Sequence, residues 1–454
     1  MKAVIREKIY LSGLSQNQYG VIKKTLTIQN PKYHEALRFG RSAFGIDRYI
    51  ELFEQPGGCL STPRGISLTS LGLIPESILD ERRIHPVRIE TNLEMRGYQE
   101  RTVRLALEAG GGVIVAPTGA GKTTMGIELA SRLNQRCLVL VKSLDLARQW
   151  QAAIQKFTGQ ECGLIGDGKW QEGNQFTAAT VQTLIKHSES LDYGLVIVDE
   201  CHNVPAEQAY SVINRQAAKY RYGLSATPQR RDNLEMMIHA ALGPIVAEID
   251  QSEVDGAVLP VTVSTLEYRF QGNPESWQDF IAQLANDPER NQLIVNRAIK
   301  SCQVTGTAVL TGTVEHAEHL HRMIIEQGSE ALLLHGQLSK SLRAERMAAA
   351  TEYQLIIGTL SMLSEGIDWP HIGAVIFASP VSAAIDKATP AATRLIQSIG
   401  RARRPFPGKR RAFVLDIVDL HPFGKSSFKK RSMVYKQQGF DVRSLKIGGS
   451  DEPR

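Results

Sequence analysis

Apolar positions along this chain follow two rhythms. From about residue 93 onward, short unbroken apolar runs alternate with longer stretches of helical spacing. The runs 113–115, 137–141, 178–181, 195–198 and 220–224 read as strands buried on both faces, and 122–133 and 144–157 read as helices. A connector follows, from Gly243-Pro244 through Glu248, Asp250, Glu253 and Asp255 to Leu259-Pro260. The rhythm then resumes, with strands at 307–311, 331–335, 354–358, 374–378 and 412–416 and helices at 315–327, 340–351 and 393–399. Such alternation predicts parallel sheets covered by helices on both faces, with ligands at the carboxyl ends of the strands.

Residues 1–90 differ. A strand-like stretch at 4–11 and an alternating one at 24–28 precede a turn at Asn30-Pro31. A short helix is expected near 33–39, and 46–53 fits either a strand or a helix. Residues 73–92, with Pro75 and Pro86, read as a connection. The expected organisation is α/β: a small N-terminal α+β domain (1–90), then parallel-sheet domains at 91–245 and 246–454. Lys32, Arg38, Arg41, Arg48 and Arg64 interleave with Tyr33, Phe39, Phe44 and Tyr49. That mixture suits a nucleic-acid surface and equally an ordinary charged surface. The basic tail from Gly424 (Lys425, Lys429, Lys430, Arg431) reads as a solvated arm or a phosphate-backbone contact.

The chemistry starts where the strand 113–115 breaks into Ala116-Pro117-Thr118-Gly119-Ala120-Gly121-Lys122-Thr123-Thr124. Small residues let backbone N–H groups close around an oligophosphate, and the following helix adds its positive end. Lys122 is placed for the β/γ-phosphates and the Thr123 hydroxyl for Mg²⁺. Asp199-Glu200-Cys201-His202 closes the strand 195–198. Two carboxylates at that point serve two needs: Asp199 for the magnesium shell, Glu200 to orient and deprotonate a water. ATP and Mg²⁺ are the expected cofactors.

Bulk properties narrow the rest. The 454 residues carry a net charge of +6, which leans towards a polyanionic partner. Five cysteines (Cys59, Cys137, Cys162, Cys201, Cys302) lie scattered without a C-x-x-C, predicting a reducing compartment and no zinc site. There is no apolar run of about 18 residues, hence no expected membrane helix. The N-terminus turns charged too early for a secretory signal.

Asp199-Glu200-Cys201-His202 resembles the second motif of superfamily 2 helicases of the DEAD/DEAH type, and the other motifs appear in order. Ala116 in place of the usual first glycine is similar to the helicase form of the phosphate loop. Leu93, Arg96, Tyr98 and Gln99 resemble the adenine-reading motif, Ser225-Ala226-Thr227-Pro228 the third motif, and Gly358-Thr359 to Glu365-Gly366-Ile367-Asp368 the fifth. Gln397-Ser398-Ile399-Gly400-Arg401-Ala402-Arg403-Arg404 resembles the sixth. The resemblance covers 93 to about 418. It implies two RecA-like domains in tandem, a cleft between them, and ATP contacts from Arg96, Gln99, residues 117–124 and Asp368. It also implies hydrolysis by Lys122, Asp199, Glu200, Gln397, Arg401 and Arg404, the arginine forks meeting γ-phosphate oxygens across that cleft.

Implied nucleic-acid contacts are Lys142-Ser143, which depart from the usual Pro-Thr pair, with Thr180, Gln182, Thr311, Gly312 and Thr359. Hydroxyls and backbone N–H groups position phosphates without reading bases. The connector and the N-terminal domain look like the XPB-like and phage UvsW-like group, which implies 3′-to-5′ polarity. The expected function is an ATP-dependent DNA helicase or translocase remodelling forks, Holliday junctions or R-loops in recombination, repair or replication. Alternatives are an RNA helicase or an ATP-gated motor subunit of a restriction or repair assembly. Expected partners are branched, forked or junction DNA and replication or recombination proteins, for a monomer in the cytoplasm of a bacterial or phage-infected cell.

Overall fold

Unbroken apolar runs become the central strands of two separate parallel sheets. The computed structural model describes residues 1–40, 42–187, 190–202, 206–226, 234–254, 258–360, 369–381 and 390–445, with the side chains at 206, 251, 252, 340, 390–394 and 397 outside the description. The chain forms two compact units, Met1–Asp250 and Gln251–Arg454.

In the first unit the main sheet runs, in spatial order, Lys169–Gln171, Cys162–Gly166, Phe176–Thr180, Cys137–Val141, Leu195–Val198, Tyr220–Ser225, Gly112–Val115 and Ile245–Glu248. Neighbours are parallel except at the 162–171 edge hairpin. Gly112–Val115, Cys137–Val141 and Leu195–Val198 are buried at every position, as strands covered on both faces must be. The helix Leu144–Thr158 starts where Ser143 Oγ accepts from the Leu146 N–H and stops at Gly159 in the left-handed region.

The second unit orders its strands Leu332–Leu334, Leu355–Thr359, Gly306–Thr311, Ile372–Phe377, Ala412–Asp419, Val261–Tyr268 and Asp441–Leu445, all parallel. A further helix, Pro288–Cys302, is capped by Asp287 and buries Arg290, whose guanidinium donates to both Asp419 oxygens at 2.7 and 3.1 Å. The basic tail is no solvated arm. It forms the helix Pro422–Gln437, in which buried Arg431 grips both oxygens of Asp416 at 2.8 Å and Tyr435 donates to the same carboxylate at 2.7 Å. Among the described residues no helix is long and apolar enough to cross a membrane.

The N-terminal elements depart most from expectation. The stretch 4–11 is two strands, Lys2–Ile5 and Ile9–Ser12, turning at Arg6-Glu7-Lys8. Residues 24–26 end a helix, Gln16–Leu26, that a Ser15/Gln18 capping box starts. Asn30 caps the next helix, Pro31–Arg38, instead of making a simple turn. The expected connection contains Ser77–Asp80, which pairs in parallel with Lys2–Ile5.

These elements share a core with the helix Glu235–Leu242: Leu11, Ile22, Leu60 and Leu73 pack with Leu234, Met237 and Ala240. Arg64, in the N-terminal segment, donates to the carbonyls of Arg6, Ala218 and Lys219 at 2.9, 2.7 and 3.2 Å. Arg221, on the strand Tyr220–Ser225, donates to Glu7 O at 2.7 Å, Ala241 O at 3.2 Å and Gln216 O. Burial lowers the pKa of both guanidiniums, that of Arg64 to about 9. Gly65 donates to Ala240 O at 2.7 Å, and a Cβ there would lie 2.1 Å from His239 O and 2.5 Å from Gly243 N. Those neighbours are backbone and cannot step aside. Gly65→Ala is therefore expected to cost about 3 kcal/mol by overpacking. The thermal midpoint of this unit should fall by roughly 6–12 °C. An unshifted midpoint would show that this contact does not anchor the N-terminal segment.

Candidate active site

Three neighbouring strands deliver the chemistry at their carboxyl ends. Gly112–Val115 runs into the loop 116–121, Leu195–Val198 into Asp199-Glu200, and Tyr220–Ser225 into Ala226. The Ala116 N–H donates to Ser225 O at 2.8 Å, tying the loop to the third of these strands. Within the loop, the Ala120 N–H closes a turn on Pro117 O at 3.1 Å, around Thr118 and Gly119. Gly121 is the N-cap of the helix Lys122–Leu133. Thr123 occupies the second helical position, and Thr124 Oγ1 donates to Gly121 O at 2.6 Å.

Lys122 Nζ donates to Ala116 O at 3.2 Å and lies 3.4 Å from Glu200 Oε1. Glu200 Oε2 lies 3.4 Å from His202 Nδ1, which is 2.9 Å from Ser225 Oγ. One polar chain thus links the loop lysine, the acidic pair and the start of the third motif. Thr227 and Pro228 of that motif lie outside the described residues. Glu200 sits in the left-handed region at φ 46°, a conformation that costs energy for a side chain with a Cβ. Asp199 is held on both oxygens: the Glu200 N–H donates to Oδ1 at 2.9 Å, and the buried Trp150 indole donates to Oδ2 at 2.8 Å. Burial, then the Glu200 charge, push the Asp199 pKa up. Burial would also raise Glu200, but the Lys122 ammonium, helped by His202, outweighs it and holds Glu200 low. The pair is therefore split, with Glu200 the stronger acid.

These residues fit magnesium and a triphosphate. Glu200 Oε2 is buried with no hydrogen bond among the described residues, so it can accept from a water. Asp199 with Thr123 would hold the metal beside a lysine and a helix N-terminus, a donor set suited to a hard, oxygen-seeking cation. Gln99 is brought against the loop as expected, but both ends of its amide are engaged: Oε1 accepts from the Arg96 N–H at 2.9 Å and Nε2 donates to Ala120 O at 2.8 Å. Here it braces the loop. Arg96 Nη1 donates to Tyr98 OH at 3.1 Å.

Two family models match in tandem: residues 92–230 fit that of the type III restriction enzyme res subunit, and 291–405 that of the helicase conserved C-terminal domain. The probable helicase D10 of Escherichia phage T5 is 24% identical over 412 residues, covering 88% of this chain and 89% of that protein. The chain is a superfamily 2 helicase. DNA 3′-5′ translocase XPB2 of Sulfurisphaera tokodaii is 34% identical over 171 residues, 37% of this helicase and 38% of that relative. In fold, Dbp5 of S. cerevisiae, solved with RNA and ADP BeF3, superposes with a TM-score of 0.56 at 20% identity over 77% of this chain and 89% of its own. A crystal structure of T4 UvsW aligns over 98% of this chain and 99% of its own, at a TM-score of 0.42 and 16% identity, too loosely to bear on function. Its two helicase family matches make it an ATP-dependent helicase.

The nucleic-acid candidates of the first unit also share strand ends. Thr180 pairs with Val141, so Lys142-Ser143 and Thr180–Gln182 emerge side by side from adjacent strands. Buried Thr180 bonds Thr183 at 2.8 Å and shapes that turn, Ser143 is a helix cap, and Gln182 is exposed. In the second unit, Thr311 pairs with Thr359 across neighbouring strands. Thr311 Oγ1 donates to Thr313 O at 2.8 Å, and the Gly312 N–H donates to Ser379 Oγ at 2.9 Å. His316, beside Ser379 at 3.3 Å and Asn291 at 3.0 Å, has its pKa lowered to about 3 by burial and then by Arg290, so it acts as a neutral linker. Ser379 and His316 carry no motif in the sequence, because their partners, Gly312 and Asn291, lie 67 and 25 residues away.

The helix Pro390–Ala402 carries Arg401 in its last turn, and Arg401 with Ser398 lines a small cavity under Trp369 and Leu310. Burial lowers the Arg404 pKa. Arg403, between them, is structural: its Nε donates to Leu259 O at 3.0 Å. Asp368 and the Gln397 side chain lie outside the described residues. Among the described residues no cluster of three or more His, Cys, Asp or Glu side chains could hold a metal.

Proposed function

We propose that this helicase acts on DNA and remodels branched structures: forks, four-way junctions or R-loops. The observation that carries this reading is the loop between the helix Pro31–Arg38 and the strand Tyr49–Glu51. Phe44 is 96% exposed there, with Leu37, Phe39 and Tyr49 also exposed and the Arg48 guanidinium 5.3 Å from the Tyr49 ring centroid. Arg38 and Arg48 supply the charge. Lys32 is paired with Glu207, and half-buried Arg64 spends its guanidinium on backbone carbonyls, so neither belongs to this surface. Aromatic faces beside arginines stack on unpaired bases, which occur where strands separate and not along a linear duplex. The likeness to XPB2 supports DNA over RNA.

Asp199 and Thr123 are assigned to magnesium, Glu200 to the attacking water, and Lys122 and residues 117–124 to the phosphates. Arg96 is assigned to the adenine side, with Gln99 bracing the loop beside it. Arg401 and Arg404, with Gln397 and Asp368, are the second unit's proposed share. Magnesium bound with ATP supplies charge neutralisation at the phosphates. Lys142, Ser143, Thr180, Gln182, Thr311, Gly312 and Thr359 are assigned to the nucleic-acid backbone. The contacts are charges, hydroxyls and N–H groups, so little sequence preference is expected.

The test is ATP hydrolysis by the purified chain with single-stranded DNA, linear duplex, a fork, a four-way junction and RNA, together with fork unwinding. Forks and junctions should stimulate and be unwound. Phe44→Ala should weaken fork binding about tenfold and leave linear-duplex binding within about twofold. Stronger stimulation by RNA would make the chain an RNA helicase; hydrolysis without unwinding would make it the motor of a larger assembly.

A further inference from the structure

Trp150 lies on the helix Leu144–Thr158 and is buried. It has two contacts that its place in an apolar stripe does not require. Its Nε1 donates to Asp199 Oδ2 at 2.8 Å. The far edge of its ring rests on the helix that follows the phosphate loop, at Gly126, where a Cβ would fall 2.6 Å from Cη2. Glycine inside a helix costs about 1 kcal/mol relative to alanine, so this one marks a close approach that the fold keeps. One rigid side chain therefore spans from the phosphate-loop helix to the acidic pair.

We propose that Trp150 is a positioning residue for the metal-holding carboxylate: its indole N–H, with the Glu200 N–H on the other oxygen, sets the single orientation in which Asp199 meets magnesium. A carboxylate that accepts no such bond can rotate about its Cβ–Cγ bond, and its metal-facing lone pair is then not fixed. Outer partners of this kind hold a ligand's geometry without touching the metal. Tryptophan suits the place because it has one donor and no acceptor, so it orders the carboxylate without competing for the cation. Phenylalanine would fill most of the same space and leave Asp199 Oδ2 without this donor.

This inference rests on the reading of Asp199 as the magnesium ligand, and the experiment separates the two. Equilibrium binding of a fluorescent ADP analogue is measured with excess EDTA and across a Mg²⁺ titration, for the full-length wild type, Trp150→Phe and Asp199→Asn. Thermal unfolding of each variant without ligand checks the fold. In Trp150→Phe the Mg²⁺ concentration for half-maximal effect should rise about tenfold, with the EDTA affinity unchanged. A merely structural loss would weaken both affinities together. If Asp199→Asn loses the Mg²⁺-dependent gain while Trp150→Phe keeps the wild-type titration, the positioning role is overturned. If Asp199→Asn itself keeps the wild-type titration, the ligand assignment fails first. If Trp150→Phe does not fold, site-specific replacement of Trp150 by 3-benzothienylalanine, a bicyclic shape without an N–H, carries the same comparison.

Discussion

Lys122→Ala is expected to abolish ATP hydrolysis while the protein stays folded. Two losses act together. The ammonium that would meet the β/γ-phosphates disappears, and removing one preorganised charge of that kind costs roughly a hundred- to a thousand-fold in rate. Lys122 is also the strongest influence holding Glu200 ionised against its burial, with Nζ 3.4 Å from Oε1. Without it Glu200 shifts towards the protonated acid, which cannot take a proton from water. The combined loss should be at least about a thousand-fold in steady-state ATPase rate, at saturating Mg²⁺ and nucleic acid. Neutralising Glu200 also relieves the burial of an unpaired charge, so thermal unfolding should move little. Lys122→Arg separates the two effects: it restores a cation near Glu200, but its planar fork does not reproduce a point charge at the phosphates. A Lys122→Ala protein hydrolysing ATP within about tenfold of wild type would remove the loop from the mechanism.

How much was legible beforehand follows from where each group takes its partners. The central strands of both units are buried on both faces, and that condition writes itself into sequence as unbroken apolar runs such as Cys137–Val141 and Ile372–Phe377. Val261–Tyr268 stayed hidden because Thr262, Ser264, Thr265 and Glu267 interrupt it, although most of it is buried against parallel neighbours. In the N-terminal segment the cues are local and weak. The helix Gln16–Leu26 buries only Ile22 and Leu26, so no stripe announces it, and its capping box is its main signature.

The same contrast holds within the site. Lys122, Asp199 and Glu200 are legible because a phosphate loop and an acidic pair each occupy one contiguous stretch. Trp150 is not, since in sequence it belongs with Ala147 and Ile154 to one buried helix face and its partner is 49 residues away. Gly126, in a helix interior, was the one available sign of a close neighbour. Arg64 misleads in the other direction. It reads as surface charge, yet it and Arg221 donate to backbone carbonyls between the N-terminal segment and the strand that leads to Ser225. Gln99 is a third case: its amide reaches the loop as the family pattern implies, but to brace Ala120.

Glu200→Gln should give the other large effect, and a different one. Glutamine keeps the shape and the left-handed backbone of φ 46° costs it as much as glutamate, so folding stability should be nearly unchanged. What goes is the capacity to accept a proton at an oxygen that is buried, without a hydrogen bond among the described residues, and held ionised by Lys122. Loss of a general base costs roughly a hundred- to ten-thousand-fold in the chemical step. Nucleotide binding should persist or tighten, because Lys122 no longer shares its charge with Glu200 and one negative charge leaves the neighbourhood of the phosphates. The two substitutions therefore diverge on binding: Lys122→Ala weakens it, whereas Glu200→Gln traps the ATP complex. Equilibrium binding of ATP and a single-turnover hydrolysis rate, measured on both proteins, read this directly. If Glu200→Gln lost affinity in step with rate, Glu200 would be a binding residue and another group would have to orient the water. His202, 3.4 Å from Glu200 and hydrogen-bonded to Ser225, is the side chain next in line for that role.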